Sequence, residues 1–267
     1  MEIYSKDNRT IKELVKLKIR KQREKTGTYL IEGPNLVEEA FKNGVEIVSL
    51  LFVQDYQESE ELSELYRCYE EKLGREAIIT SRDMLGSISD TENPQGVLGV
   101  VRMPEIRQDE FFAKAGNNNL VVLDRLQDPG NLGTIIRTAD AAGCGGIIVM
   151  KGSADVFSPK VVRSCTGSLF RVPILFMQEP VETVKLLKEK GFKVAATGLA
   201  GGKLYFHEDI SQNTAIIIGN EGNGTCRDFM EWADLVLTIP MKGKTESLNA
   251  AVACSLLIYE SVRSSYR

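Results

Sequence analysis

The sequence predicts an α/β fold whose second half is built on a parallel sheet. Short apolar runs alternate with helical patterns along most of the 267 residues. Two of these runs, residues 215–218 and 235–239, are apolar apart from Thr238, which is typical of strands buried on both faces of a parallel sheet. Each is followed by a glycine-rich loop, GNEGNG or PMKGKTESLN. Because ligands bind beyond the carboxyl ends of such strands, we expect the functional site in these loops.

The composition is that of an ordinary globular protein, with 43% hydrophobic and 26% charged residues. No apolar stretch reaches membrane-spanning length, and the N-terminal residues MEIYSKDNRT lack the apolar core of a signal peptide. We therefore expect a cytoplasmic protein with no membrane partner. The five cysteines include no C-x-x-C pair and His207 is the single histidine, so we expect no metal site.

Basic residues are concentrated at the N-terminus. Residues 1–25 hold nine Lys/Arg against four Asp/Glu, a local charge of +5 in a chain whose net charge is −4. Apolar residues at helical spacing predict one amphipathic helix over residues 6–25, stopped at Gly27. Its basic face, with Lys12, Lys16 and Arg20, suits the phosphates of a nucleic acid. The alternative interpretation is a solvated helix face.

Strands and helices alternate on both sides of a polar segment, PEIRQDEFFAKAGNNN. Before this segment the patterns predict strands at residues 29–31, 47–53, 77–80 and 96–101, and helices at residues 33–41 and 58–73. After it they predict further strands at residues 120–123, 147–150, 172–176 and 194–197, and helices at residues 134–142, 158–165 and 181–190. We therefore predict a domain at residues 1–104, a linker at residues 105–118 and a second domain at residues 119–267.

Three loops of the second domain follow predicted strands and are rich in polar residues. In DRLQDPGNLGTIIR, Asn131 suits the N-cap of the next helix and Arg137 lies on or near that helix. In GNEGNG the glycines allow a ligand to approach closely, and Glu221 is the only charge. In MKGKTESLN, Ser247 and Asn249 lie near the start of the last helix. Taken singly, each loop is also explained as a turn or a helix cap.

Common nucleotide-binding and hydrolase motifs are absent. The GKT at residues 243–245 lacks the first glycine of a phosphate loop, because Thr238 stands in its place. No G-x-G-x-x-G follows the first strand of the second domain, and the chain has no G-x-S-x-G elbow. A nicotinamide enzyme of the usual type and a serine hydrolase are therefore unsupported.

Together, the three loops resemble the motifs of the SpoU (TrmH-type) RNA ribose methyltransferases. The matching elements are Asn131 with Arg137, GNEGNG at residues 219–224, and IPMKGKTESLNAAVA at residues 239–253. SPKVVRS at residues 158–164 and GSLFRVP at residues 167–173 also match, so the resemblance covers residues 120–259. YLIEG at residues 29–33 and the pair Gly96-Val97 resemble the L30e-like substrate-binding domain that often precedes this catalytic domain.

The resemblance implies a SPOUT fold with a C-terminal trefoil knot, S-adenosylmethionine as the cofactor, and a homodimeric enzyme. The catalytic residues it implies are Arg137, Asn131, Glu221, Ser247 and Asn249. The cofactor-binding residues it implies are Thr197, Gly198, Leu199, Gly219, Asn220, Ile239, Met241 and Leu248. Further candidate RNA contacts are Arg163, Lys242 and Lys244. One departure is Ala250-Ala251, where many relatives have Val-Ser, and it removes a hydroxyl.

The implied function is methyl transfer from S-adenosylmethionine to a ribose 2′-hydroxyl of RNA. Ribosomal RNA is favoured because the N-terminal domain resembles those of rRNA-modifying relatives. The alternatives are a tRNA 2′-O-methyltransferase and an RNA-binding protein that keeps the cofactor fold without catalysis; a small-molecule methyltransferase would leave the basic N-terminal segment unexplained.

The resemblance also suggests how the catalytic residues divide the work. Family proposals make Arg137 the base, but guanidinium groups stay protonated in proteins. We therefore expect Arg137 to be essential and leave its exact role open. Glu221, Asn131 and Asn249 are expected to orient Arg137 and the ribose.

Overall fold

The structure is a computed structural model that describes residues 1–74, 76–199 and 201–266. The chain divides into two compact units. Unit 1 comprises Met1–Pro104 and Asp155–Phe170, and unit 2 comprises Glu105–Ala154 and Arg171–Arg267. None of the helices in the described ranges combines the length and the apolar composition needed to span a lipid bilayer.

Helices and strands alternate along most of the chain. The helices are α1 (Arg9–Lys16), α2 (Arg20–Thr26), α3 (Pro34–Lys42), α4 (Glu60–Leu73), α5 (Arg82–Ile88), α6 (Gln108–Ala115), α7 (Pro129–Ala141), α8 (Pro159–Ser164), α9 (Pro180–Glu189), α10 (Arg227–Trp232) and α11 (Ala250–Ser265). The strands are β1 (Thr28–Glu32), β2 (Ile47–Val53), β3 (Ile78–Thr80), β4 (Val97–Arg102), β5 (Leu120–Leu123), β6 (Gly146–Met150), β7 (Ile174–Met177), β8 (Lys193–Thr197), β9 (Lys203–Leu204), β10 (Thr214–Ile218) and β11 (Leu235–Thr238).

Unit 1 is built on a mixed four-stranded sheet in the order β1-β4-β2-β3. β4 runs antiparallel to β1 and β2, and β3 runs parallel to β2. The four strands predicted in this half are confirmed to within one or two residues. Each of them is dominated by buried positions, so its apolar run is visible in the sequence without knowledge of its neighbours.

The N-terminal segment forms two helices, so the prediction of one helix over residues 6–25 is wrong. α1 ends at Lys16, and Ile19 adopts an extended conformation (φ −96°, ψ 127°) as the N-cap of α2. The break leaves Ile19 60% exposed, whereas Arg23 of α2 turns inward and is 2% exposed. The predicted stop at Gly27 is confirmed, since Gly27 caps α2 in the left-handed conformation.

The segment Asp155–Phe170 belongs to unit 1, although its sequence lies between two strands of the unit 2 sheet. The predicted second domain at residues 119–267 is therefore interrupted. α8 packs against β1, and the ring of Phe157 lies 5.0 Å from the ring of Tyr29. The carboxylate of Asp155 pairs with the buried guanidinium of Arg23. These are contacts between residues far apart in sequence, which local patterns cannot predict.

Unit 2 is built on a seven-stranded sheet in the order β7-β6-β5-β10-β8-β11-β9, with every pair of neighbours parallel. Every residue of β5, β6 and β10 is buried. The predicted α/β fold with a parallel sheet is confirmed.

The predicted linker at residues 105–118 contains helix α6. Phe111 of this helix is fully buried, and Phe112 and Ala115 join it in the core of unit 2. The segment looks polar because its surface positions are charged, and its two adjacent phenylalanines are the signal that it packs against the sheet.

Candidate active site

Four neighbouring strands end at one edge of the unit 2 sheet. β5, β10, β8 and β11 are adjacent and parallel, so the loops that follow them leave from the same edge. The first residues of these loops are Asp124, Gly219, Gly198 and Ile239. The two glycine-rich loops, in which the functional site is expected, therefore leave from the same edge as the DRLQDPGN loop.

Helix α7 begins earlier than predicted, at Pro129. Its N-cap is Asp128, whose Oδ1 accepts a hydrogen bond from Asn131 N at 2.8 Å. The prediction that Asn131 is the N-cap is therefore wrong. Because Asp128 takes that role, the Asn131 side chain is available for other partners.

Asn131 joins the three predicted loops through a chain of side-chain hydrogen bonds. Asn249 Nδ2 donates to Asn131 Oδ1 at 2.8 Å, and Asn131 Nδ2 donates to Glu221 Oε1 at 3.1 Å. Asn249 is also the N-cap of α11, where its Oδ1 accepts from Ala251 N at 2.9 Å. One asparagine thus fixes the start of α7 against the start of α11 and the GNEGNG loop.

The direction of this chain is set by Glu221, because an ionised carboxylate can only accept. The carboxylate also accepts from Gln127 N and Asp128 N, each at 3.0 Å. Asn131 must therefore turn its amide nitrogen to Glu221 and its oxygen to Asn249. An amide side chain is required at both asparagine positions, since each donates at one end and accepts at the other.

The environment of Glu221 keeps it ionised. Partial burial pushes its pKa upward, but the hydrogen bonds from Gln127 N, Asp128 N and Asn131 Nδ2 outweigh burial and place the pKa below its usual value. A carboxylate with three donors and a lowered pKa is a poor proton acceptor. Glu221 is better placed to hold the DRLQDPGN loop than to remove a proton.

Arg137 lies apart from this hydrogen-bonded chain. It follows Asn131 by six residues on α7, which places it about 9 Å along the helix and about 120° around its axis. Its side chain is exposed and makes no hydrogen bond or ion pair with any residue that the structure describes. Asn131, Glu221 and Asn249 make no hydrogen bond to Arg137 in this structure, and their expected role in orienting it stays a prediction.

Ser247 is also outside the chain of hydrogen bonds. It is exposed, and its carbonyl oxygen accepts from Thr245 Oγ1 at 3.1 Å. Asn249, not Ser247, caps the last helix. No contact of the Ser247 hydroxyl joins it to Asn131 or Glu221 among the described residues.

The residues predicted to bind the cofactor line the ends of β8, β10 and β11. Thr197 Oγ1 donates to Ile217 O at 2.8 Å, and Gly198 N donates to Leu237 O at 3.0 Å. Thr225 Oγ1 donates to Thr197 O at 2.8 Å, which ties the GNEGNG loop to β8. Leu199, beyond these contacts, is 71% exposed.

The loop after β11 offers unpaired backbone groups beside these strand ends. Ile239, Met241 and Leu248 are half-buried, whereas Lys242 and Lys244 are exposed. Within the described part of the chain, residues 239–248 make no backbone–backbone hydrogen bond. Unpaired amides in a loop with half-buried apolar side chains suit a ligand that has both polar and apolar parts.

Gly219 provides a test of the GNEGNG loop. A Cβ at Gly219 would lie 2.1 Å from Thr225 N and 2.2 Å from Gly224 C, both backbone atoms. We expect Gly219→Ala to cost about 1–3 kcal/mol of unfolding free energy, because the loop must shift. The same shift would separate Asn220 from its partner Arg125 O and weaken ligand binding.

Thermal denaturation and isothermal titration with S-adenosylmethionine measure these two effects. Gly222→Ala in the same loop is the matched control, since the nearest atom to its added Cβ lies at 3.7 Å. Equal behaviour of the two variants would contradict a structural requirement at Gly219.

The candidate RNA contacts of unit 1 mostly have acidic partners. Lys12 pairs with Asp7 at 2.7 Å and Arg20 pairs with Glu24 at 2.8 Å, both exposed. Arg163 donates to Asp90 Oδ2 at 3.1 Å. Lys16 is exposed. Exposed ion pairs contribute little free energy, so phosphates can compete for these side chains.

Sequence reasoning missed the residues that support the site from the loop after β5. Gln127 and Asp128 donate their backbone amides to Glu221, and Asp128 caps α7 beside Asn131. Asp124 accepts from the guanidinium of Arg125 in the same loop. The available signal was a charged residue directly after a buried strand: Asp124 is 1% exposed.

Comparison with known proteins identifies the family. Residues 118–259 match the SpoU rRNA Methylase family, and residues 8–99 match the MRM3-like substrate binding domain. The chain belongs to the SpoU rRNA methylase family. In this SpoU protein the family match includes every residue of the Asn249–Asn131–Glu221 chain, together with the segment Asp155–Phe170 that packs in unit 1.

Relatives and solved structures match over nearly the full length of this SpoU protein. The 23S rRNA (guanosine(2553)-2'-O)-methyltransferase RlmP of Bacillus subtilis is 39% identical over 258 residues, covering 97% of this chain and 98% of the relative. The 23S rRNA (uridine(2479)-2'-O)-methyltransferase of Streptomyces viridochromogenes is 35% identical over 250 residues, covering 91% and 85%. The crystal structure of the SpoU methyltransferase AviRb from Streptomyces viridochromogenes, in complex with AdoMet, has a TM-score of 0.87 at 32% identity and covers 97% of this chain and 98% of that one.

Proposed function

We propose that this SpoU protein transfers a methyl group from S-adenosylmethionine to a ribose 2′-hydroxyl of 23S rRNA. The observation that carries the proposal is the hydrogen-bonded chain Asn249–Asn131–Glu221, which joins the three family motifs at the carboxyl edge of the parallel sheet. Relatives that match almost the whole chain are 23S rRNA 2'-O-methyltransferases, and this supports rRNA over tRNA.

The cofactor supplies a methyl group already activated on a sulfonium, so the protein has mainly to bind and orient. Backbone groups of Gly219, Ile239 and Leu248, with residues 197–199 and Asn220, would hold it at the strand ends. Met241 would complete the apolar side of that pocket.

The hydrogen-bonded chain would fix the target ribose. Glu221 holds the backbone of Gln127 and Asp128 in place. Asn131 connects Glu221 by hydrogen bonds to Asn249 at the start of α11. Arg137, exposed on α7, would contact the RNA at the reacting ribose or its phosphate. Ser247, Lys242 and Lys244 are exposed on the loop that would close over the same ribose.

Incubation with S-adenosylmethionine labelled in the methyl group tests this function. The substrates are unmodified 23S rRNA and, separately, total tRNA, and the labelled product is digested to nucleosides. We expect a single 2′-O-methylnucleoside from the rRNA. Label in tRNA alone would overturn the proposal that 23S rRNA is the substrate. If neither RNA is labelled although the protein binds the cofactor, the result would support an RNA-binding protein without catalysis.

We further propose that the enzyme is a homodimer that contacts its second copy through α11. Val252, Leu256 and Tyr259 recur at helical spacing on this helix and are 49%, 39% and 49% exposed. Together with Tyr205 they border a groove that also includes Thr134 of α7. An apolar stripe of this kind on a helix is typical of a protein interface.

Leu256→Asp is expected to convert the dimer to a monomer, because a carboxylate would be buried at the centre of the stripe. Analytical ultracentrifugation measures the mass. Leu73→Asp on α4 is the matched control, since Leu73 is 37% exposed and lies in unit 1. A monomeric wild-type protein would contradict the proposal.

Two further features follow from the family and stay proposals. We place the enzyme in the cytoplasm, where a bacterial rRNA substrate is made. We also propose the trefoil knot, which the strand order supports: β8 lies between β10 and β11, and α11 returns to pack against β10 and α7.

A further inference from the structure

Arg125 has an unusual conformation directly after β5. Its φ is 56°, in the left-handed region that residues other than glycine seldom adopt. A Cβ makes this conformation unfavourable, and glycine would relieve the strain. An arginine kept at a strained position beside a candidate site points to a use for its side chain.

The Arg125 guanidinium is held by Asp124, and only some of its N–H donors are hydrogen-bonded. Its Nε donates to Asp124 Oδ1 at 2.8 Å and its Nη2 donates to Asp124 Oδ2 at 3.1 Å. Asp124 is 1% exposed and also accepts from Cys226 N at 2.7 Å, so the carboxylate is itself held in place. The Arg125 side chain remains 41% exposed. A guanidinium has five N–H donors, and about three of them stay available.

The backbone of Arg125 belongs to the same hydrogen-bonded framework as the candidate site. Its carbonyl oxygen accepts from Gln127 Nε2 at 3.1 Å and from Asn220 Nδ2 at 2.8 Å. The backbone amide of Gln127 in turn donates to the carboxylate of Glu221. Loops after β5 and β10 therefore hold Arg125 in a position set by the site itself.

The turn that packs against Arg125 carries another basic residue. The turn at Gly152 packs against the Arg125 side chain, since a Cβ at Gly152 would lie 3.3 Å from Arg125 Cγ. Lys151 precedes this glycine and is exposed. The carboxylates of Asp128 and Glu221 accept from backbone amides, and among the described residues neither of them pairs with the Arg125 guanidinium. The remaining guanidinium donors of Arg125 are therefore open to an anionic ligand.

We propose that Arg125 binds a backbone phosphate of the substrate RNA and so positions the target ribose. This inference rests on the proposed function and adds a substrate contact to it. A guanidinium fork presents parallel donors that match phosphate oxygens, and Asp124 sets the direction of the fork. The competing explanation is that Arg125 only neutralises the buried charge of Asp124.

Asp124→Asn separates the two explanations. The amide that replaces the carboxylate keeps an oxygen for Cys226 N and removes the buried charge, so a counter-charge at position 125 is no longer required. The comparison is between D124N, D124N/R125K and D124N/R125Q. All three have a non-glycine residue at position 125, so the backbone strain there is similar. Only D124N/R125Q lacks a positive charge at that position.

The measurement is equilibrium binding to an unmodified 23S rRNA transcript across a series of salt concentrations. We expect D124N/R125Q to bind more weakly and to lower the slope of log K against log [salt] by about 0.7–0.9, the value for one lost phosphate contact. D124N/R125K should keep the slope of D124N. Thermal stability and the affinity for S-adenosylmethionine should agree among the three.

Because Asp124→Asn also removes the carboxylate that directs the fork, R125K and R125Q are compared in the otherwise unchanged chain as well. Equal slopes in both comparisons would overturn the assignment of Arg125. If the slopes of these variants agree but the wild-type protein transfers methyl groups to rRNA, only the phosphate contact of Arg125 is refuted. A wild-type protein that transfers none would refute the proposed function as well.

Discussion

Replacing Arg137 with alanine is expected to remove most methyl transfer while the fold and cofactor binding persist. Arg137 is exposed on α7 and has no hydrogen bond or ion pair with another described residue, so its truncation breaks no contact within the described chain. A group that stabilises charge in a transition state typically contributes about 10²–10³-fold to the rate. We therefore expect kcat to fall by about that factor, with little change in the affinity for S-adenosylmethionine.

Two further variants make the Arg137 result specific. Arg227→Ala removes an arginine of α10 that is 91% exposed and contacts only Glu231, at 3.7 Å, among the described residues, so it controls for the loss of one positive charge. Arg137→Lys keeps the charge but loses the planar fork of donors. Full activity of Arg137→Ala would exclude this residue from the mechanism. An equal loss of activity in Arg227→Ala would show that the effect comes from general electrostatic attraction of RNA.

Removing either member of the Arg23–Asp155 pair is expected to destabilise unit 1 by about 3–5 kcal/mol. The side chains are 3% and 16% exposed. Arg23 Nη1 also donates to Leu17 O at 2.6 Å, and Asp155 Oδ1 accepts from Phe157 N at 2.9 Å. Asp155→Ala would leave the Arg23 guanidinium buried without a counter-charge. Arg23→Ala would leave the Asp155 carboxylate without its counter-charge.

Denaturant unfolding followed by far-ultraviolet circular dichroism measures this destabilisation. Fluorescence is less suitable, because Trp232 is the single tryptophan and lies in unit 2. Arg9→Ala is the control: its pair with Glu13 is 91% and 54% exposed and should contribute less than about 0.5 kcal/mol. The double variant should lose less than the sum of the single losses. A loss in Asp155→Ala as small as in Arg9→Ala would contradict a structural role for the pair.

The strands could be predicted from the sequence because each carries its signal locally. β5, β6 and β10 are apolar apart from Thr214, and their burial on both faces accounts for that composition. The convergence of the GNEGNG and MKGKTESLN loops also followed, since parallel strands end at one edge. The break at Ile19 did not, because Ile19 continues the helical spacing of the apolar residues of α1 and no glycine or proline marks the end of that helix.

Interactions between distant residues could not be predicted in the same way. Nothing local to Asp155–Phe170 distinguishes packing in unit 1 from packing in unit 2, and its match to the family favours unit 2. The family motifs indicated Asn131, Glu221 and Asn249 but not the direction of the hydrogen bonds that join them. Arg137 was placed among them because it belongs to the same motif, yet it lies six residues along α7 from Asn131.

Mapping ribose methylation on 23S rRNA tests the central claim most directly. Ribosomal RNA from cells with the gene, without it, and without it but carrying either wild type or Arg137→Ala would be compared nucleotide by nucleotide. The proposed function predicts that one 2′-O-methyl group disappears with the gene, returns with the wild type and does not return with Arg137→Ala. An unchanged methylation pattern in cells that lack the gene would contradict it.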